Sequence, residues 1–224
     1  MDLLWTDKCF LAMLLFCLLM LGRALCFERG RKLFLNLLQQ PIAVSAGIVL
    51  VFFIGIATID SIHFKQNEQS NTFSLLDKLL APLDEVYEKT YSAPFALHLY
   101  SAETVFIAGE TKQEYSRLSY PPLSIKNSVD KNKLIKNVIL RTMLISASMM
   151  LLLFLVIKTS RMTMMPKKSL AVGFITLFFC LFLCLSCYFL SRYFHLFGTG
   201  KIGQDIFYFT VKSIRTGLIL GGLR

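Results

Sequence analysis

Apolar residues in this chain gather into long blocks separated by charged stretches, instead of alternating with polar ones. Helical residues rise about 1.5 Å each, so about 20 of them cross a hydrocarbon core about 30 Å thick. Residues 170–190 contain no charge at all, and 41–59 have only Ser45 and Thr58 as polar side chains. A third block, 138–157, carries Arg141 near one end, where a long cationic side chain reaches the headgroups. The first block, 9–22, has the length of a signal-peptide core or an interfacial helix. Asp2 and Asp7 precede it and Arg23 interrupts its end, which argues against cleavage. Extended over 3–27, with Lys8 and Arg23 near its ends, it spans as a first helix. The pattern therefore predicts four spans.

Between the second and third spans the pattern changes. Leu75, Leu76, Leu79, Leu80, Leu83, Val86 and Tyr87 recur at helical spacing and are interrupted by Pro82, which predicts a helix broken or restarted there. Val105, Phe106 and Ile107, followed by Gly109 and then Tyr115, predict a short strand and a hairpin. Pro121 and Pro122 end this pattern, and 130–136 form a charged approach to the third span. Neither a repeat nor a low-complexity tract is present.

Composition agrees with the pattern: 55% of the 224 residues are apolar and 17% charged, with 20 Phe and 9 Met. Soluble domains lie nearer half and a quarter, so the excess points to lipid. The net charge of +10 could suit nucleic acid, but the basic residues flank apolar blocks and are not interleaved with stacking aromatics, so no nucleic-acid partner is expected. Cytoplasmic loops retain Lys and Arg. Arg23, Arg29, Arg31 and Lys32 against Glu28 place the first loop inside, and Lys158, Arg161, Lys167 and Lys168 place the loop before the fourth span inside as well. Residues 60–136, with acidic and basic residues in near balance, fall outside, as do the amino terminus and the segment from Ser191 onward.

Candidate chemistry is sparse. Cys180, Cys184 and Cys187 form one helical stripe with a C-x-x-C, but no His or carboxylate lies near them in sequence, so they read as packing residues. Cys9, Cys17 and Cys26 lie in or beside the first block, which leaves the outer segment without a disulfide framework. His63, His98 and His195 have no carboxylate at ligand or triad spacing and read as surface or turn residues. Asp84, Glu85 and Glu88 read as a solvated face. No G-x-S-x-G, H-E-x-x-H or P-loop motif occurs, and the spans lack buried ionisable residues, Arg141 alone approaching. No catalytic residue, cofactor or metal is assigned.

The most informative stretch begins at Tyr193 and reads Y-F-H-L-F-G-T-G-K-I-G-Q-D. Gly198, Gly200 and Gly203 mark a tight turn directly after a span; from Gln204 an amphipathic stretch follows, which Lys212 and Arg215 hold near a headgroup surface; residues 217–223 are apolar again, as at the start of a further span cut short. The segment resembles the F-G-T-D-x-x-G-x-D stretch of the inner-membrane permeases of dipeptide, oligopeptide and nickel ABC importers. Phe197, Gly198, Thr199, Gly203 and Asp205 match, as does the run K-S-I-R-T-G-L over 212–218, with Lys212, Arg215 and Gly217. Gly200 stands where the family carries an aspartate, which puts in doubt whatever that carboxylate contacts. Residues 31–59 resemble the amino-terminal helix of the same permeases, and the outer segment, with K-T-Y-S-A-P-F-A-L-H-L-Y over 89–100, resembles an insertion in a longer branch.

The resemblance implies a multi-pass protein of a bacterial inner (plasma) membrane. It would be a permease of the C type whose full system adds a second permease subunit, cytoplasmic ATPase subunits and an extracytoplasmic solute-binding protein. The E-A-A sequence that docks the ATPase in that family is not found, so the chain is expected to be the amino-terminal part of such a permease. The expected fold is an all-α membrane protein with about four transmembrane helices, a truncated fifth and a small α+β extracytoplasmic insertion. Its parts are 1–30, a first helix and basic turn; 31–59, the permease amino-terminal helix; 60–136, the insertion; 137–192, a helix pair with a basic loop; and 193–224, the glycine turn, amphipathic segment and start of the permease core. A competing expectation is a membrane-anchored sensor or assembly factor whose outer domain binds a ligand or partner, although the inner loops are too short to relay a signal. An intramembrane enzyme is the third.

Overall fold

A computed structural model describes residues 5–65, 72–107, 110–125, 127–160 and 166–222. Their elements, in order, are α1 (Trp5–Cys26), α2 (Glu28–Gln39), α3 (Pro41–Asp60), β1 (His63–Lys65), β2 (Thr72–Ser74), α4 (Leu75–Leu79), α5 (Ala81–Asp84), β3 (Glu103–Ile107), β4 (Glu110–Glu114), α6 (Ser128–Ser160), α7 (Lys167–Ser191) and α8 (Ile206–Gly222). Each sheet is an antiparallel pair, with Phe64 opposite Phe73 in one and Val105 opposite Lys112 in the other. Asp2, Leu3, Gly109, Arg161 and Leu223, which figure in the expectations above, lie outside the described residues.

Four helices, α1, α3, α6 and α7, are long and apolar enough to cross a membrane, and only 6 to 11% of the residues in their apolar windows are buried inside the protein. Leaving that much apolar surface in water costs about 25 cal/mol for each Å². Lipid is the solvent these helices suit, so the chain is a largely helical, multi-pass membrane protein. α3 begins at Pro41, where the missing N–H is one the helix start would leave unpaired anyway.

Two boundaries differ from expectation. α6 starts at Ser128, ten residues ahead of its apolar block, because the charged approach continues the same helix with its side chains mostly exposed. Residues 206–222 form one continuous helix, α8, rather than an amphipathic stretch followed by a separate start. Gly217 does not interrupt it, and a Cβ there would meet nothing within 4 Å.

The chain divides into two units. The first comprises Met1–Lys78, Met143–Leu183 and Ile214–Arg224. Here Ser169 donates to the Leu38 carbonyl across 2.7 Å, tying the start of α7 to the end of α2. Gly173 brings α7 against α3, where an added Cβ would lie 3.2 Å from Val44. Phe154 meets Phe174 edge to face at 6.0 Å. Ser74 caps α4: its hydroxyl accepts the Asp77 N–H while the Asp77 carboxylate accepts the Ser74 N–H, each at 3.0 Å.

The second unit comprises Leu79–Thr142 and Cys184–Ser213. It has its own apolar core, in which Leu80, Leu83, Leu99, Leu118, Ile125, Phe194 and Leu196 are buried. Extended stretches run side by side in it: the Tyr100 N–H donates to Tyr91, the Leu99 N–H to Ser116 and the Leu118 N–H to Leu97. The Arg117 guanidinium closes the following loop on the carbonyls of Pro122 and Ile125, at 3.0 and 2.7 Å. Thr142 of α6 and Ser186 of α7 share a buried hydrogen bond of 2.9 Å.

Candidate functional site

The glycine turn that leads into α8 is built for close approach. Gly198 and Gly203 have φ of +76° and +78°, a region that L side chains rarely occupy, and a Cβ on either would run into the backbone carbonyl of Ser92 or Glu88. The turn lies directly on the 88–93 segment. Thr199 fixes it there, its N–H donating to the Ser92 hydroxyl at 3.1 Å and its own hydroxyl to the Thr90 carbonyl at 2.7 Å. The Glu88 N–H donates to the Gly203 carbonyl at 3.0 Å. Asp205 closes the turn and caps α8, one carboxylate oxygen accepting the Tyr208 N–H at 2.8 Å.

His195 sits behind this turn with its ring 1% exposed. Its Nδ1 lies 2.6 Å from Asp205 Oδ2, and its Nε2 faces Glu88 Oε1 at 3.7 Å, an ion-pair separation too long for a hydrogen bond. In a neutral ring donating through Nδ1, Nε2 would turn a lone pair toward a carboxylate, so the arrangement calls for imidazolium. Burial alone would push the His195 pKa down, but Asp205 and then Glu88 outweigh it and raise it above the ordinary value. Burial would likewise raise the Glu88 carboxyl, yet the facing imidazole and the hydrogen bonds from Tyr120 N–H and from Ser119 hold it down to about 2. Tyr120 covers the imidazole with its ring at 4.7 Å and donates its hydroxyl to the Ser191 carbonyl. Burial first, and then the Asp205 charge, push its pKa up to about 12, so this hydroxyl stays protonated.

Of the residues singled out by sequence, the second unit brings together Gly198, Thr199, Gly203 and Asp205. Phe197 meets Phe207 edge to face at 5.7 Å. Lys212 donates to the Tyr208 hydroxyl at 3.1 Å and lies over that ring. Gly200 has room for a side chain, because a Cβ there would meet only the Gln204 carbonyl at 3.9 Å; the aspartate expected from the resemblance is not needed to hold the turn.

Several expectations are corrected. His195 is a buried ion-pair partner at the start of a turn, not a surface residue, and Glu88 is buried with it, not part of a solvated face. The turn itself carried a readable signal for Asp205, since residues flanking two such glycines are folded back on each other; Glu88, more than a hundred residues away, gave none. Arg215, expected near a headgroup surface, has two buried carboxylates as partners. In the first unit its Nη1 lies 2.5 Å from Asp7 Oδ1 and its Nε 3.2 Å from Asp60 Oδ2. His63 Nδ1 joins the same cluster 2.9 Å from Asp7 Oδ2, so His63 is not a surface residue either. Asp7, in α1, and Asp60, ending α3, are 0 and 2% exposed, which overturns the expectation that the spans hold no buried ionisable residue. Among the described residues no group of three or more His, Cys, Asp or Glu is arranged to hold a metal ion. Both clusters join segments that are distant along the chain, and the arrangement does the work of a fastener.

No family model, curated protein or solved structure matches the chain.

Proposed function

We propose that this protein is a membrane-spanning permease component of an ABC-type importer of peptides or related small solutes, resident in a bacterial inner membrane. The observation that carries the reading is the 197–205 turn, with its two left-handed glycines and its Asp205 cap, leading straight into a helix that carries the permease-like run through Lys212 and Arg215. A chain with four apolar helices of membrane-crossing length among its described residues suits a component that shapes a path for solute. On this reading the other permease subunit completes the path, ATPase subunits act from the cytoplasmic face, and a solute-binding protein delivers from outside. The docking sequence for the ATPase is not found within these 224 residues, so on this reading these residues meet the ATPase only through a permease partner.

Co-expression with candidate permease and ATPase subunits tests this. The expected result is that the chain is retained on a tagged partner permease through detergent purification, and reaches the ATPase only when that partner is present. Retention by no permease, or direct capture of the ATPase, would sink it. The reading as a sensor or assembly factor draws on one observation, the separate apolar core of the second unit; it predicts instead that residues 79–142 and 184–213 capture a ligand or partner with no permease present.

A further inference from the structure

An apolar groove of about 730 Å³ opens in the first unit between α1, α2, α3, α6 and α7. Phe34, Leu38, Gly47, Phe52, Ile157 and Leu170 are among its walls. Its one polar lining residue, Ser169, spends its hydroxyl on the Leu38 carbonyl, so nothing in the lining anchors water. Helices in contact normally close to the density of an organic crystal, and a gap of this size leaves its walls without partner atoms. In a bilayer the atoms at hand are acyl chains.

The charges beside the groove narrow the occupant. Lys158 directly follows the lining residue Ile157, and Lys167 and Lys168 directly precede Ser169; all three are exposed. Arg29, Arg31 and Lys32 are exposed on α2, whose Phe34, Leu37 and Leu38 face the groove. No acidic residue occurs between Glu28 and Asp60, or from Lys131 to Ser191. An amphipathic helix with cations on its polar face lies at the headgroup level, and basic pockets between membrane helices hold anionic headgroups. We propose that this groove is a binding site for one anionic phospholipid, with an acyl chain filling the apolar space and the phosphate held by Lys158, Lys167 and Lys168. The inference is independent of the permease reading, since it needs only the spanning helices and their cations.

Gly47 supplies the test. It lines the groove, and a Cβ placed there meets nothing within 4 Å, so Gly47→Leu fills the space without striking backbone; Gly55, on the same helix and equally open, lies outside the lining. The full chain in detergent would be titrated with phosphatidylglycerol and phosphatidylcholine and followed by native mass spectrometry. Phosphatidylglycerol should be retained about tenfold more tightly. Gly47→Leu should abolish retention, Gly55→Leu should not, and the triple change Lys158→Gln, Lys167→Gln and Lys168→Gln should leave both lipids bound equally. Inorganic phosphate should not compete. Equal retention of the two lipids by the unaltered chain would overturn the proposal, as would competition by phosphate. So would a Gly47→Leu chain that keeps its lipid but loses association with another membrane subunit, because the groove would then be seating a helix.

Discussion

Among the described residues, buried charge fastens distant segments around His195 and around Arg215, and the two joints are built differently. Around His195 both carboxylates are backed by backbone, although the imidazole Nε2 has no hydrogen-bond partner: Glu88 accepts the Tyr120 N–H, Asp205 caps α8, and two glycines bring the chain close enough for these bonds to form. Around Arg215 the charges answer mainly to one another. Neither carboxylate oxygen of Asp60 has a hydrogen-bond partner, although Nε of Arg215 lies 3.2 Å away, and a single guanidinium faces two carboxylates, with the His63 ring also against Asp7. A buried ion whose remaining lone pairs are satisfied is held by many small terms, whereas one that depends on a counter-ion fails when that counter-ion is removed. The first arrangement suits a permanent joint. The second concentrates its strength in one residue.

The largest expected effect follows from that concentration. Arg215→Met keeps the length and apolar character of the side chain but leaves Asp60 buried without its cation and takes the guanidinium from Asp7, which keeps His63 beside it, at a cost of about 3–5 kcal/mol. Hydrogen exchange of the purified protein should show α8 and the Asp60 end of α3 losing protection together. Unchanged exchange in both would mean that the carboxylates do not depend on Arg215. Restoring neutrality with Asp7→Asn and Asp60→Asn in the same chain should recover much of the loss.

Gly203→Ala comes next and attacks the other joint through its backbone. The added methyl would meet the Glu88 carbonyl from a left-handed conformation, costing about 2–3 kcal/mol, with the loss confined to the turn and the 88–93 segment. Gly217→Ala, in open space on α8, is the matched control and should not destabilise.

These two joints also mark how far the sequence could be read. The spans were plain because about 20 apolar residues in a row have few other uses: the block over 41–59 is α3, Pro41–Asp60, to within one residue. The hairpin of β3 and β4 and the break near Pro82 were legible for the same local reason, turn residues between patterned stretches. Asp7 and Asp60 were not legible as partners of Arg215, because a charge near the end of an apolar block looks alike whether it faces headgroups or a helix brought back from far along the chain. Glu88 was hidden for a similar reason. Two acidic neighbours gave it the look of a solvated face, and its burial depends on Tyr120 and His195, which only the fold brings near.

The pH response separates the joints further and is smaller. His195 is raised by Asp205 and Glu88 against the opposing effect of burial, so its contribution is complete below about pH 6.5 and is lost as pH climbs through the raised value. Glu88 works from the other side: its contribution is present above its open-chain value of about 4.5 and is lost as pH falls through about 2. The turn should therefore be best protected between roughly pH 4.5 and 6.5 and loosen on the alkaline side. Amide exchange of Gly198 and Thr199, normalised to an unfolded peptide at each pH, reads this directly. His195→Gln should cost about 1.5–2 kcal/mol at pH 6 and remove the alkaline loosening; if the loosening survives in that variant, another group is responsible.

The smallest effect probes the position where the turn departs from the family it resembles. Gly200 is not in the left-handed region, and a Cβ there would have only the Gln204 carbonyl at 3.9 Å for company. A side chain at such a site removes conformations from the unfolded chain without straining the folded one, so Gly200→Ala should stabilise by about 0.4–1 kcal/mol. Gly200→Asp adds the missing carboxylate to the same backbone change. If that group only pointed into solvent, the two variants would match in thermal midpoint. An aspartate variant that instead gained retention of a partner subunit, at unchanged stability, would show that the carboxylate belongs to an interface and not to the turn. Gly203→Ala places the same methyl three residues further along and should be strongly unfavourable, so the opposite signs at 200 and 203 would establish that contact with Glu88, and not glycine content as such, sets what this turn requires.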